Sequence, residues 1–206
     1  MSIVKLNNKA VSNATAIGSI SSLGSMVFIK KLTASASATL SFVDGTDGVV
    51  LDDTYKEYVF TFKNIHPATN DADLQFNMST DGGSNYNVTK TSTMFRAYHF
   101  ENDGGAALQY DAGFDLAQST AFQGIAQEIG NENDECASGT LRIFNPSSTT
   151  FVKHFMSTLN MTLHWDVQMV MYGAGYGNTT SAVDAIQFKM NTGNIDAGDI
   201  CLYGIA

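Results

Sequence analysis

The strongest constraint on this fold is a period of two, repeatedly cut by Asp-Gly turns. In Tyr55–Ile65, YKEYVFTFKNI, the residues Lys56, Tyr58, Phe60 and Phe62 alternate with Tyr55, Glu57, Val59, Thr61 and Lys63. One face is therefore aromatic, as in a half-buried β-strand, and Pro67 ends it. The same alternation runs through Leu74, Phe76 and Met78, and through Ile186, Phe188 and Met190. MVFIKKLTASASATLSFVDG opens on an apolar run, then places Ala36, Ala38, Leu40 and Phe42 on one face. It reads as strand and closes on Asp44-Gly45. Asp47-Gly48, Asp81-Gly82-Gly83 and Asp103-Gly104-Gly105 punctuate the next sixty residues. Roughly eight to ten short strands at such spacing predict an all-β antiparallel β-sandwich, jelly-roll-like. Strands do not alternate with helices, which excludes a parallel α/β sheet.

Two segments interrupt the pattern. DLAQSTAFQGIAQEIG (115–130) fits either one short helix or an irregular loop, and NENDE after it is an acidic loop. Residues 1–24 are rich in Ser, Asn, Ala and Gly. They read either as a plain flexible terminus or as an extended N-terminal arm that docks on a neighbouring subunit through Ile3, Val4, Leu6, Val11 and Ile17. The sandwich domain is expected over 25–206.

Charge narrows the partners. Only 15% of residues are charged, and Lys plus Arg number 11 against 20 acids, for a net charge of −9. Sequence-independent nucleic-acid binding needs Lys and Arg to neutralise phosphates, so it is not expected. No stretch approaches the roughly 18 apolar residues of a membrane span, and the first twenty residues lack the apolar core of a signal peptide. Synthesis in a cytoplasm is the expectation. Five Asn-x-Ser/Thr sequons, from Asn13 to Asn178, then read as chance in a Ser/Thr/Asn-rich chain. Nothing in the spacing of Cys136 and Cys201 pairs them in a disulfide.

Catalytic and ligand motifs are weak. NMSTDGGSNYNVT is glycine-rich, but β-branched residues rather than a helix come after it, so it reads as the turn of a tight hairpin and no phosphate cradle. It lacks the spaced carboxylates of a calcium loop. GAGYG (173–177) fails the dinucleotide spacing and reads as a flexible loop. His66, His99, His154 and His164 show no metal-ligand spacing. His164 and Asp166 would share a strand face, yet no activated nucleophile accompanies them. Acidic residues gather in predicted loops, where a glycosidase pair would need a fold to bring it together. No cofactor and no enzymatic activity are expected. Exposed aromatics leave a carbohydrate-binding alternative, with Tyr86, Tyr110 and Tyr176 as candidate glycan contacts, against packing of core and subunit interfaces.

SMVFIKKLTAS, LDDTYKEYVFTFKNIHPAT, FNMSTDGGSNYN, NPSSTTFVKHF and the closing SAVDAIQFKMNTGNIDAGDICLYGIA resemble small virion proteins of tailed bacteriophages, especially marine ones. The ending GNI-x-x-G-x-I-x-LYGI is similar to the last strand of phage appendage and tail-fibre-type domains. The resemblance spans most of 17–206. It rests on turns and strands, so no active site carries over. It implies a jelly-roll-like virion structural protein, in all expectation a homotrimer, on the tail as an appendage or on the head as capsid decoration. Its partners would be other virion proteins and, for an adhesin, host surface glycan.

Overall fold

The structure is a computed structural model and describes residues 25–206. The expected arm, with Ile3, Val4, Leu6, Val11 and Ile17, lies outside the described residues. Twelve strands succeed one another: β1 (Met26–Thr33), β2 (Leu40–Val43), β3 (Glu57–Pro67), β4 (Ala72–Ser79), β5 (Lys90–Phe100), β6 (Ala106–Tyr110), β7 (Gln123–Ile129), β8 (Ala137–Phe144), β9 (Lys153–Leu163), β10 (Val167–Gly177), β11 (Ala185–Met190) and β12 (Ile195–Ile205). The described residues contain no helix.

Every pairing is antiparallel. Four pairs define the fold: β1 with β12, β2 with β11, β3 with β8, and β4 with β7. This is a long hairpin rolled over itself, the double-sheet arrangement of a jelly roll. One sheet runs β2-β11-β4-β7. The other begins β1-β12-β3-β8 and is widened by β9, β10, β5 and β6. The added strands are two hairpin insertions, one between β4 and β7 and one between β8 and β11. A single residue pair, Ile129 with Leu163, bridges the two sheets and makes the whole nearly barrel-shaped.

The core lies between the sheets. Tyr58, Phe60 and Phe62, the aromatic face read from the sequence, point inward with Leu74, Phe76 and Met78 opposite. Phe188 packs edge-on against Phe60 and Phe62, both at 5.2 Å between ring centroids. Edge-to-face pairs of this kind add about 0.5–1.5 kcal/mol beyond area burial.

Several expectations need correction. The stretch from Met26 to Val43 is two strands, not one. It breaks where Ala36 takes a φ of +49°, and the chain crosses from the wide sheet to the narrow one. Asp81-Gly82-Gly83 is a turn, with Gly82 and Gly83 at φ +69° and +79°. It is not a tight hairpin, because β4 pairs with β7 and β11 while β5 joins the other sheet. Gln123–Ile129 is neither helix nor loop but strand β7. Six of its seven residues are buried, so both faces are covered and the alternation that marks a half-exposed strand is lost.

GAGYG is not a loop either: it is the end of β10. A Cβ on Gly175 would stand 2.6 Å from the Thr91 carbonyl oxygen and 2.6 Å from the Phe155 ring. The glycine is there for close approach. Gly175→Ala is expected to cost about 1–3 kcal/mol, because the obstructing Thr91 oxygen belongs to the backbone of the neighbouring strand. Urea denaturation of the variant checks this, and an unchanged midpoint would contradict it.

Candidate functional site

Strands β9, β10, β5 and β6 form the wing of the wide sheet, and their two faces differ sharply. Phe155, Leu159 and Met161 of β9, Met169 and Met171 of β10 and Met94 of β5 are buried. The alternate positions face outward, and they include Met156, Tyr172, Phe95, Leu108 and Tyr110, all exposed. Register explains how they meet: Phe95 pairs with Tyr172 on one side and with Tyr110 on the other. The Phe95 and Tyr172 rings stack at 4.9 Å with 14° between planes. Leu108 is 71% exposed, which for a leucine on a sheet face means that nothing among the described residues covers it.

Beside this stack runs a shallow groove of about 490 Å³. Thr93 and Ala174 floor it, while Met156, Phe144, His154 and Tyr176 stand around it. The small residues at 93 and 174 are what open the groove between larger neighbours. Along the outward positions of β9, β10, β5 and β6 around the stack, Met156, Thr158, Tyr172, Ala174, Thr93, Phe95, Leu108 and Tyr110, there is no Lys, Arg, Asp or Glu. In a chain of net charge −9, four adjacent strands free of formal charge on one face form a distinct surface.

The candidate glycan residues separate. Tyr110 and Tyr176 both lie on this outer face, Tyr110 at the edge strand and Tyr176 at the groove wall. Tyr172 and Tyr176 are about 13 Å apart along β10 at strand rise. The Tyr110 hydroxyl donates to Asp115 Oδ2 at 2.5 Å, and this bond pushes its pKa up. The Tyr176 hydroxyl accepts from Gln118 Nε2 at 3.4 Å. Tyr86 is elsewhere, in the β4–β5 connection, where its carbonyl accepts from Asn77 Nδ2 at 2.7 Å. Sequence reasoning did not single out Phe95, Met156 or Leu108. The period-two pattern of MFRAYHF and HFMSTLNM holds the signal, but only the register shows that the outward apolar residues are neighbours.

The interior carries unusual charges. Lys90 and Lys153 are fully buried. Lys90 Nζ donates to Asn77 Oδ1 at 2.6 Å and to the Val88 carbonyl at 2.8 Å. Lys153 Nζ donates to the carbonyls of Ser148, Phe151 and Thr179 at 2.6, 2.8 and 3.2 Å. Burial lowers both pKa values, that of Lys90 to about 7. Each ammonium ties a loop to a strand end through carbonyl groups.

The histidines are dispersed. His66 faces Asp196 at 3.7 Å, His99 faces Asp103 at 3.1 Å, and His164 faces Asp71 at 3.7 Å. Among the described residues no three His, Cys, Asp or Glu converge as a metal site. His164 and Asp166 do not share a strand face as expected. They belong to the β9–β10 turn, where Asp166 has a φ of +59°. Cys136 and Cys201 are both free thiols. No helix of the described residues is long and apolar enough to cross a membrane.

No protein-family model matches this chain, and no curated protein or solved structure matches it.

Lys90 gives a pH signature. Its folded pKa, about 7, lies below the unfolded value near 10.5, so between them the unfolded chain binds more protons. Stability therefore rises from about pH 7 to about pH 10.5, and as pH falls across that window the gain is lost, completely so by about pH 7. Lys90→Met is expected to flatten that part of the profile. Denaturant midpoints of both proteins across this window check it, and parallel profiles would refute it.

Proposed function

We propose that this chain is a non-enzymatic structural protein of a bacteriophage virion, attached to the tail or the capsid surface, whose jelly rolls associate as a homotrimer through the outer face of the β9-β10-β5-β6 wing. The observation that carries the reading is that face: Phe95 stacked on Tyr172, with Met156, Leu108 and Tyr110 exposed around them and no formal charge between them. Exposed contiguous apolar patches on water-soluble chains mark interaction sites. Interface cores are depleted of charge and rich in aromatics and methionine, the composition found here.

The occupant this surface fits best is a second copy of the chain. Two chains each carrying −9 repel in general, and they approach most readily through surfaces that carry none of that charge. The fold supports a particle role by analogy alone, since jelly rolls build viral capsid and lectin domains among others. The resemblance of the strand and turn motifs to phage appendage proteins points the same way.

A second reading has one observation in its favour. Tyr176 and His154 rise beside a groove with a small-residue floor, a place where a sugar ring could stack. On that reading the protein is a host-receptor adhesin. Tyr176→Ala would then abolish binding on a glycan array while the chain stays folded.

Light scattering on the full chain tests the main proposal. The expected mass is three times the 22.1 kDa of one chain, and Tyr172→Asp is expected to reduce it to 22.1 kDa while the fold persists. A wild-type monomer would overturn the proposal. Attachment has its own test: deletion of residues 1–20 should leave the sandwich folded and stop incorporation into particles. Full occupancy by the truncated chain would remove the tether from the reading.

A further inference from the structure

A second concavity opens on the opposite face of the wing, at the end of the core where β7 leaves β5 and β10 partly uncovered. Tyr98 and Phe100 of β5, Trp165 of the β9–β10 turn, Arg96 and Glu128 line it, and it encloses about 100 Å³. We infer that this pocket binds the head group of a small organic ammonium cation.

Glu128 is placed there by a constrained backbone. It has a φ of +51°, beside an irregularity in the β4–β7 register. Its N–H donates to Asp73 Oδ1 at 2.9 Å, and its carbonyl accepts from the His164 N–H at 3.3 Å. A non-glycine residue held in this region is strained, and such residues cluster at ligand sites. The result is a carboxylate whose Oε2 is buried and has no hydrogen-bond partner. Burial, first of all, raises its pKa, and Asp71 and Asp111 add to this while Arg96 opposes it.

The arginine does not complete the site. Arg96 Nη1 lies 3.3 Å from Asp111 Oδ2. Its Nε and Nη2 donate to the Gln109 side-chain oxygen at 2.9 and 2.8 Å, with that amide oriented by these bonds. The guanidinium is thus committed to β6 and the residue after it. Around Glu128 stand three more carboxylates, Asp71, Asp73 and Asp111, against Arg96 and His164. The local balance is negative, which disfavours a phosphate or sulfate and favours a cation.

The walls select the kind of cation. Phe100 meets Tyr98 at 5.9 Å and Trp165 at 6.0 Å, both edge-to-face. Three rings set at angles to one another thus wall one space, and aromatic walls attract an ammonium. The carboxylates do not converge for a metal, so a bare divalent ion gains little. Pockets that enclose drug-sized molecules start near about 300 Å³. This one is much smaller, so it admits a methylated or primary ammonium head and excludes a whole pyranose. Lipid headgroups, amino-substituted glycans and lysine side chains all present that chemistry.

Trp165 is the only tryptophan of the chain and lines this pocket, so its fluorescence reports on binding there. The full chain is titrated at constant ionic strength with choline chloride, with methylammonium chloride and with the uncharged tert-butyl analogue of choline. A saturable change with one or both cations is expected, and binding of the neutral analogue about tenfold weaker or absent. Tighter choline binding points to methylated headgroups, and tighter methylammonium binding to primary amines. Glu128→Gln, read by calorimetry, is expected to weaken the cation about tenfold. Phe100→Leu, which keeps apolar volume and removes a ring face, is expected to weaken it as well and serves if Glu128→Gln does not fold. No saturation with either cation, equal binding of the neutral analogue, or undiminished binding by the folded variants would overturn the inference. These outcomes are independent of the oligomeric state.

Discussion

The structure depends on one aromatic contact set. Phe188 of β11 meets Phe60 and Phe62 of β3 from across the core, and Phe42 of β2 and Phe76 of β4 beside it, with centroid distances between 5.2 and 6.4 Å. These rings belong to both sheets and to four separate stretches of sequence. Only one backbone pair, Ile129 with Leu163, joins the sheets by hydrogen bonding between strands. Cohesion between the layers is therefore a matter of packed side chains, and the wide sheet is free to extend past the narrow one as a wing. Both surface proposals depend on that extension. A wing longer than its cover has an outer face with nothing above it and an inner end with a gap beneath.

The sequence reading succeeded where large apolar residues alternate with polar or smaller ones along a strand. Tyr58, Phe60 and Phe62, or Leu74, Phe76 and Met78, alternate with other residues, and each set is buried as expected. It failed where that contrast disappears. Strand β7 is covered on both faces, so Gly124, Ile125, Ala126 and Gln127 give no alternation to read. Gly173, Gly175 and Gly177 looked like punctuation, yet they are strand positions at which neighbouring side chains and, at Gly175, the backbone of β5 come too close for a side chain. The sites were less legible still. Tyr110 and Tyr176 could be marked as exposed aromatics, but their relation to Phe95 and Tyr172 is a fact of strand register. The Glu128 pocket draws on β5, β7 and the β9–β10 turn, segments that only the rolled topology brings together.

Charge is distributed with a similar economy. Two of the eleven basic residues, Lys90 and Lys153, are placed inside the protein against carbonyl and amide oxygens. A buried ammonium without a carboxylate is costly, and the cost falls on loops that must supply acceptors in fixed positions. These lysines therefore dictate the shape of the β4–β5 and β8–β9 connections. The charge left on the surface is mostly acidic, and it borders the outer face of the wing, at Asp115 beside Tyr110 and at Arg142 beside Met156, without entering the outward positions of β9, β10, β5 and β6.

The pairing of β1 with β12 has a consequence for how the chain acquires this shape. Met26 lies opposite Ile205, and Thr33 opposite Asp199. The earliest described strand thus finds its partner only when the last one has been synthesised. Local hairpins such as β9–β10 can close as they leave the ribosome, but β1, and one edge of β3, stay open until the end. Pairings so distant in sequence make slow folders. For the length of one round of translation, the apolar faces of β3 and β4 have no completed sandwich to enter, and the nascent chain is at its most vulnerable to joining a neighbour's strands instead of its own.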